Sequence, residues 1–152
     1  MDDRREAAEL DVPALDPFVE RLLQLGRVQQ ELLSGLGAAL AEDGLAVDPW
    51  RALSAIGRLG APTMGEIAEA TGMANATLSR AVDALEDAAA VFRHHDEGDR
   101  RRITVRLTGR GMDLLVRADA IAVAWRRSVE ERVGAEVLAA LDALSRVSPV
   151  LR

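Results

Sequence analysis

Two clusters of side chains in this sequence could carry chemistry. The first is Asn75-Ala76-Thr77-Leu78-Ser79-Arg80, a run of small, hydrogen-bonding and cationic residues. The second is Asp99-Arg100-Arg101-Arg102, three guanidiniums in a row after an acidic turn. Asn pairs with adenine edges, and Arg pairs bidentately with guanine or holds a phosphate. Thr77 and Ser79 are short enough for phosphate oxygens. Adjacent guanidiniums repel one another unless an anion meets them, and a narrow minor groove accepts an inserted arginine. Both clusters therefore point to double-stranded DNA. The plainer alternatives are an ordinary solvated helix face for the first and a solubilising turn that shields a strand edge for the second.

Composition narrows the other classes. The chain has 152 residues, no cysteine and no tyrosine, and it also lacks lysine. This removes disulfides, thiolate zinc sites, a P-loop lysine and Schiff-base chemistry. No nucleophile–base pair, carboxylate pair in an apolar site or metal cluster stands out, so an enzyme is not expected, nor a cofactor. His94 and His95 lie beside Asp96 and Asp99, but neighbours on a strand point to opposite faces. They read as solvated histidines near phosphate, with no metal. No apolar run reaches the ~20 residues that span a bilayer, and the acidic N-terminus is no signal peptide. The expected location is the cytoplasm, with no membrane partner.

The net charge of −6 is unevenly placed. Residues 1–47 hold ten acids against four arginines, whereas the signs balance over 48–110 and over 111–152. Residues 100–110 carry five arginines and no acid. A DNA binder needs a basic footprint and not a basic total.

The elements that would position these clusters can be read from periodicity and caps. Residues 1–15 read as a charged, flexible tail. Asp16 as N-cap and Pro17 at the first helical position start a helix that Gly44 closes. Its apolar stripe (Phe18, Leu22, Leu25, Leu32, Leu36, Leu40) is wide enough for more than one partner, including a second subunit. Asp48-Pro49 repeats the start signal for a helix through Leu59, with Leu53 and Ile56 inward. Thr63 and Glu66 form a capping box for a short helix ending near Ala70, and Thr71-Gly72 turns the chain. The next helix runs from about Asn75 to Ala88. At 100° per residue its buried stripe is Leu78, Ala81, Val82 and Leu85, which leaves the first cluster outward. Asp83, Glu86 and Asp87 make its second half acidic, so only its first turns should approach DNA. Strands at 91–95 and 102–107 flank the turn 96–99. In the second, Ile103, Val105 and Leu107 alternate with Arg102, Thr104 and Arg106. Thr108 caps a long helix to about Arg132, Gly134 breaks it, and a last helix carries Val137, Leu138, Leu141 and Leu144. Helix, turn, helix and arginine-tipped hairpin make a winged helix-turn-helix. Trp50 and Trp125 would line an effector pocket or, as lone tryptophans more often do, anchor core or interface.

From Asp48 to Leu115 the chain resembles the MarR family of multiple-antibiotic-resistance-type regulators. The resemblance lies in TMGEIAEATGM, in the ATLSRAVDALE reading helix, in the D-x-R of Asp99 and Arg101, and in VRLTGRG. The flanking helices match in position and length only. The resemblance implies a mainly α (α+β) fold: a winged helix-turn-helix over 48–110, a two-to-three-stranded wing, and dimerisation helices at 16–44 and 111–152. It also implies a homodimer reading a pseudo-palindrome, and control by a small anionic or phenolic ligand held between the two regions. The expected function is a ligand-responsive repressor with a small aromatic or lipophilic effector. The alternative, prompted by the acidic total charge and by Asp83–Asp87, is a non-enzymatic helical dimer using the winged fold for protein contacts. The chain departs from the family where a basic residue and a glycine are usual; it has Asp87-Ala88-Ala89-Ala90-Val91. Glycine makes a left-handed turn freely and alanine does not, so the sequence leaves this junction open. Ala74 likewise replaces a common capping serine.

Replacing Arg101 by alanine is expected to weaken operator binding by about 1–3 kcal/mol with an unchanged melting temperature. A fluorescence-anisotropy titration of Arg101→Ala beside the parent protein measures it, and equal affinities refute the wing assignment.

Overall fold

The computed structural model describes residues 14–95 and 103–146. The N-terminal tail and the arginine cluster 100–102 lie largely or wholly outside them. The elements are α1 (Pro17–Ala41), α2 (Val47–Leu59), α3 (Met64–Thr71), α4 (Asn75–Asp87), β1 (Val91–His95), β2 (Ile103–Leu107), α5 (Gly109–Val133) and α6 (Ala135–Ser145). Two compact units divide between Leu32 and Leu33. No helix among the described residues is long and apolar enough to cross a membrane.

In the first unit Asp16 caps α1 as expected, its carboxylate accepting from the Phe18 amide at 2.8 Å. Leu15, Phe18, Leu22, Leu23, Leu25 and Val28 are all exposed. The second unit has one hydrophobic core. Leu36, Leu40, Leu53, Ile56, Ile67, Leu78, Val82, Leu85, Val91 and Val105 are buried in it, with Met73 from the α3–α4 turn. Full burial of each such side chain contributes about 1.5–3 kcal/mol. No residue of α6 is buried.

The capping box forms as read: the Glu66 amide donates to Thr63 Oγ1 at 3.3 Å, and the Thr63 amide donates to the Glu66 carboxylate at 2.7 Å. Gly72 closes α3 at φ 66°. Asp48 is not the cap of α2. That helix starts at Val47 with Ala46 before it and no side-chain cap, and Asp48 in its first turn holds Arg51 at 3.2 Å. Pro49 is tolerated one turn in because the first four amides of a helix have no partner to lose.

Strands β1 and β2 pair antiparallel, from Val91 opposite Leu107 to His95 opposite Ile103. A single bridge, Thr63 to Thr104, lies beside this two-stranded sheet, and the Val105 amide donates to the Pro62 carbonyl at 2.7 Å. This overturns the clean alternation expected of β2. Thr104 is buried and Ile103 exposed, because the chain entering α3 covers Thr104 while Ile103 sits at the outer end of the hairpin.

The alanine junction is resolved by strain. Ala89 takes φ 55°, the only positive φ among described non-glycine residues. That conformation crowds Cβ against the carbonyl at a cost of about 1–2 kcal/mol. Its neighbours hold it there. The Ala89 and Ala90 amides donate to Glu86 and Leu85 carbonyls at 2.8 Å each, and Thr108 Oγ1 donates to the Ala89 carbonyl at 2.7 Å. The same hydroxyl accepts from the Gly111 amide at 2.9 Å, capping α5. Gly111 packs so tightly here that a Cβ would lie 1.9 Å from the Ala90 oxygen.

Two substitutions at this junction should therefore move stability in opposite directions. Ala89→Gly relieves the strain, less the entropy of a freer unfolded chain, and raises unfolding free energy by about 0.5–1 kcal/mol. Gly111→Ala forces backbone apart and lowers it by about 2 kcal/mol or more. Urea denaturation followed by circular dichroism reads both, and a destabilised Ala89→Gly refutes the strain.

Candidate nucleic-acid interface

Helix α4 owes its orientation to its apolar stripe. Leu78, Ala81, Val82 and Leu85 are all buried, as the spacing demanded. Burying them forces the other side of the first turns outward: Asn75, Ala76, Ser79 and Arg80 are exposed, and Thr77 is half-buried. Ala74 precedes the helix in extended geometry with no side-chain cap, so nothing local occupies its first amides. Such a helix start, with small side chains and free N–H groups, suits close approach by an anion. Arg80 has no ion pair among the described residues. With Thr77 it lines a shallow cleft of about 290 Å³ beside the start of α2.

The acidic second half of α4 is not left bare. Arg93 on β1 reaches back to donate to Asp83 Oδ1 at 2.7 Å and to pair with Glu86. Its backbone amide also donates to Glu86 at 3.3 Å. The hydrogen bond to Asp83 leads the causes that hold the Arg93 guanidinium above its ordinary pKa; burial opposes it, and the charges of Glu86 and Asp83 reinforce it. Arg93 thus neutralises charge on α4 and ties the hairpin to it. It was absent from the residues singled out by sequence. The acids lie ten and seven positions before it on another element, so sequence spacing does not pair them until the chain folds back.

Asp99, Arg100, Arg101 and Arg102 lie outside the described residues. The described strands end at His95 and Ile103, between which they run in sequence. Among the described residues no group of three or more His, Asp or Glu side chains could hold a metal ion.

The two tryptophans do not share a pocket. Trp50 lines a cleft of about 500 Å³ between α2, the end of α3 and α5, with Arg51, Ser54, Arg58, Thr71 and Asp119. Trp50 Nε1 and Ser54 Oγ are sealed from solvent and have no hydrogen-bond partner in the structure. Trp125 lines a second cleft, of about 520 Å³, between the end of α1 and α5, with Glu42 and Asp43. Gly35 admits its indole, since a Cβ there would stand 3.1 Å from Nε1. Either volume suits a small organic molecule.

Residues 43–102 match the model of the MarR family. BpsR of Bordetella bronchiseptica, described as regulated in its DNA binding by 6-hydroxynicotinic acid, is 24% identical over 86% of this chain and 98% of its own, with a TM-score of 0.73. The transcriptional repressor CouR, bound to a 23-mer DNA duplex, is 24% identical over 92% of this chain and 100% of its own, with a TM-score of 0.74. A mutant MarR from E. coli in complex with operator DNA is 22% identical over 91% and 100%, with a TM-score of 0.72. No curated protein matches the chain. The likeness to these structures establishes the fold.

The Arg93 clamp makes a measurable claim. Both partners are part-exposed, so the pair with Glu86 should couple by about 0.5–1 kcal/mol. A double-mutant cycle of Arg93→Met and Glu86→Gln in urea unfolding gives this coupling, and strictly additive effects would dismiss the clamp.

Proposed function

We propose that this chain, which belongs to the MarR family of winged helix-turn-helix regulators through residues 43–102, is a ligand-responsive repressor that binds a pseudo-palindromic operator as a homodimer. The observation that carries this reading is the split character of α4: one face wholly buried, the other exposed over its first turns with Arg80 free to pair. Residues 48–110 are the DNA-reading domain. Asn75, Ala76, Thr77, Ser79 and Arg80 approach the major groove, and Asp99 to Arg102 supply the wing contacts. Residues 16–44 and 111–152 form the dimerisation scaffold.

Dimerisation is supported by apolar surface that a lone chain would not leave in water. Phe18, Leu22 and Leu23 of α1 and Val137 and Leu144 of α6 are exposed. Exposed apolar helix faces of this kind mark interfaces. Ligand response is supported by the Trp50 cleft, whose volume of about 500 Å³ suits a small organic molecule. The fold-mates include two proteins held on DNA and one described as regulated by an aromatic acid. The protein-contact alternative loses much of its motive, since Arg93 already offsets Asp83 and Glu86.

In a mobility-shift titration against DNA flanking its own gene, binding is expected with two half-sites about one helical turn apart. About eight phosphate contacts by the dimer give log affinity a slope near −7 against log salt. Sedimentation equilibrium should return a dimer. A monomer, or no salt-dependent binding at any concentration, overturns the proposal.

A further inference from the structure

The shallow cleft beside the start of α2 holds a charge that works against a DNA-reading arginine. Asp48, in the first turn of α2, lines it together with Thr77 and Arg80 of α4. Negative charge is favoured at a helix start, where the free amides carry partial positive charge. Here it also shares a wall with Arg80, which is exposed and has no ion pair among the described residues. A carboxylate beside a mobile guanidinium competes with phosphate for it, because both are strong charged acceptors. Asp48 instead pairs with Arg51. The Arg51 Nη1 donates to Asp48 Oδ1 at 3.2 Å, and its Nη2 donates to the Thr71 carbonyl at the end of α3 at 2.6 Å. Anchored at that second point, Arg51 is a preorganised partner for the carboxylate, whereas Arg80 would give up side-chain freedom to pair with it.

We propose that Arg51 is a positioning residue for DNA reading: by holding Asp48 it keeps Arg80 unpaired and available to DNA. The inference rests on the DNA-contacting role given to Arg80 above and adds two residues that act through it. Three observations carry it. Asp48 and Arg80 line one cleft. Asp48 is paired with Arg51, and Arg80 with no described residue. Arg51 is tied to a second element, so its guanidinium stays where the carboxylate needs it. Without Arg51 the carboxylate is left bare in the cleft. It then captures Arg80 and repels a phosphate approaching Thr77. Neither Asp48 nor Arg51 has to touch DNA for this effect.

Arg51→Gln, Asp48→Asn and the two together are compared by mobility shift on the duplex flanking the protein's own gene, with Arg80 present and in an Arg80→Ala background. Arg51→Gln should weaken binding about threefold per subunit, the size of a part-exposed ion pair gained by Arg80. Asp48→Asn should bind as tightly as the parent or tighter, and adding Arg51→Gln to it should cost little more. With Arg80→Ala in place, Arg51→Gln should lose most of its effect. Arg51→Met, which keeps the packed stem, serves if the Gln variant fails to fold. An Arg51 substitution without effect, a loss that persists in full when Asp48 or Arg80 has been replaced, or weakened binding by Asp48→Asn, each overturns the proposal. A second measurement needs no DNA. Hydrogen exchange of the Arg80 Nε–H, assigned by its loss in Arg80→Ala, should slow about twofold or more in Arg51→Gln and return to the parent rate in the double variant. Such slowing in a protein that binds no DNA keeps the guard on Arg80 and loses the regulator reading. DNA binding by a parent whose Arg80 exchange is unmoved by Arg51→Gln keeps the regulator and loses the guard.

Discussion

A helix that must bury four apolar side chains on one side has no freedom over what it shows on the other. Leu78, Ala81, Val82 and Leu85 lie at 1–3% exposure or less, packed into the core with Leu53 and Ile56 of α2. Rotating α4 by even one residue position would expose part of that stripe and bury Ser79 or Arg80. The hydrophobic term for these side chains is several kcal/mol in sum, far above any rearrangement of a polar surface face. The outward direction of Asn75, Ala76, Ser79 and Arg80 is thus a consequence of core packing, and a DNA-reading role depends on it.

Packing sets the rotation of α4, and two polar devices set what is attached to it. Arg93 ties β1 to the acidic half of the helix, while Thr108 joins the left-handed turn at Ala89 to the first turn of α5. The second device tolerates a strained alanine because its surroundings over-determine the conformation. Gly111 shows how little room remains, since only a hydrogen fits between it and the Ala90 carbonyl. The hairpin, α4 and the long helix α5 therefore meet at one tightly bonded corner.

Before α4 the chain turns through Gly72 and buried Met73; the Thr71 hydroxyl accepts from the Met73 amide at 3.3 Å, and Arg51 of α2 donates to the Thr71 carbonyl at 2.6 Å. Arg51 also borders the Trp50 cleft.

Much of this was legible in the order of residues. Helix spacing, the Thr63–Glu66 capping box, the glycine stops at 60, 72 and 134, and the buried stripe of α4 are local properties. They depend on neighbours within a turn or two, so a one-dimensional reading recovers them. The outward face of the candidate site came with them, and so did the winged helix-turn-helix. What eluded it shares one cause: each feature joins residues whose separation carries no period. Arg93 meets Asp83 and Glu86 only because the chain reverses at Ala89. Thr104 is buried where the segment before α3 pairs alongside β2. Trp50 and Trp125 look alike as lone aromatics, yet packing assigns them to separate clefts. Sequence determined which faces are apolar and where helices begin and end, because those are short-range energies; the tertiary structure alone decided which charges meet, which alanine bears strain and where a cavity remains, because those depend on distant segments arriving at one place.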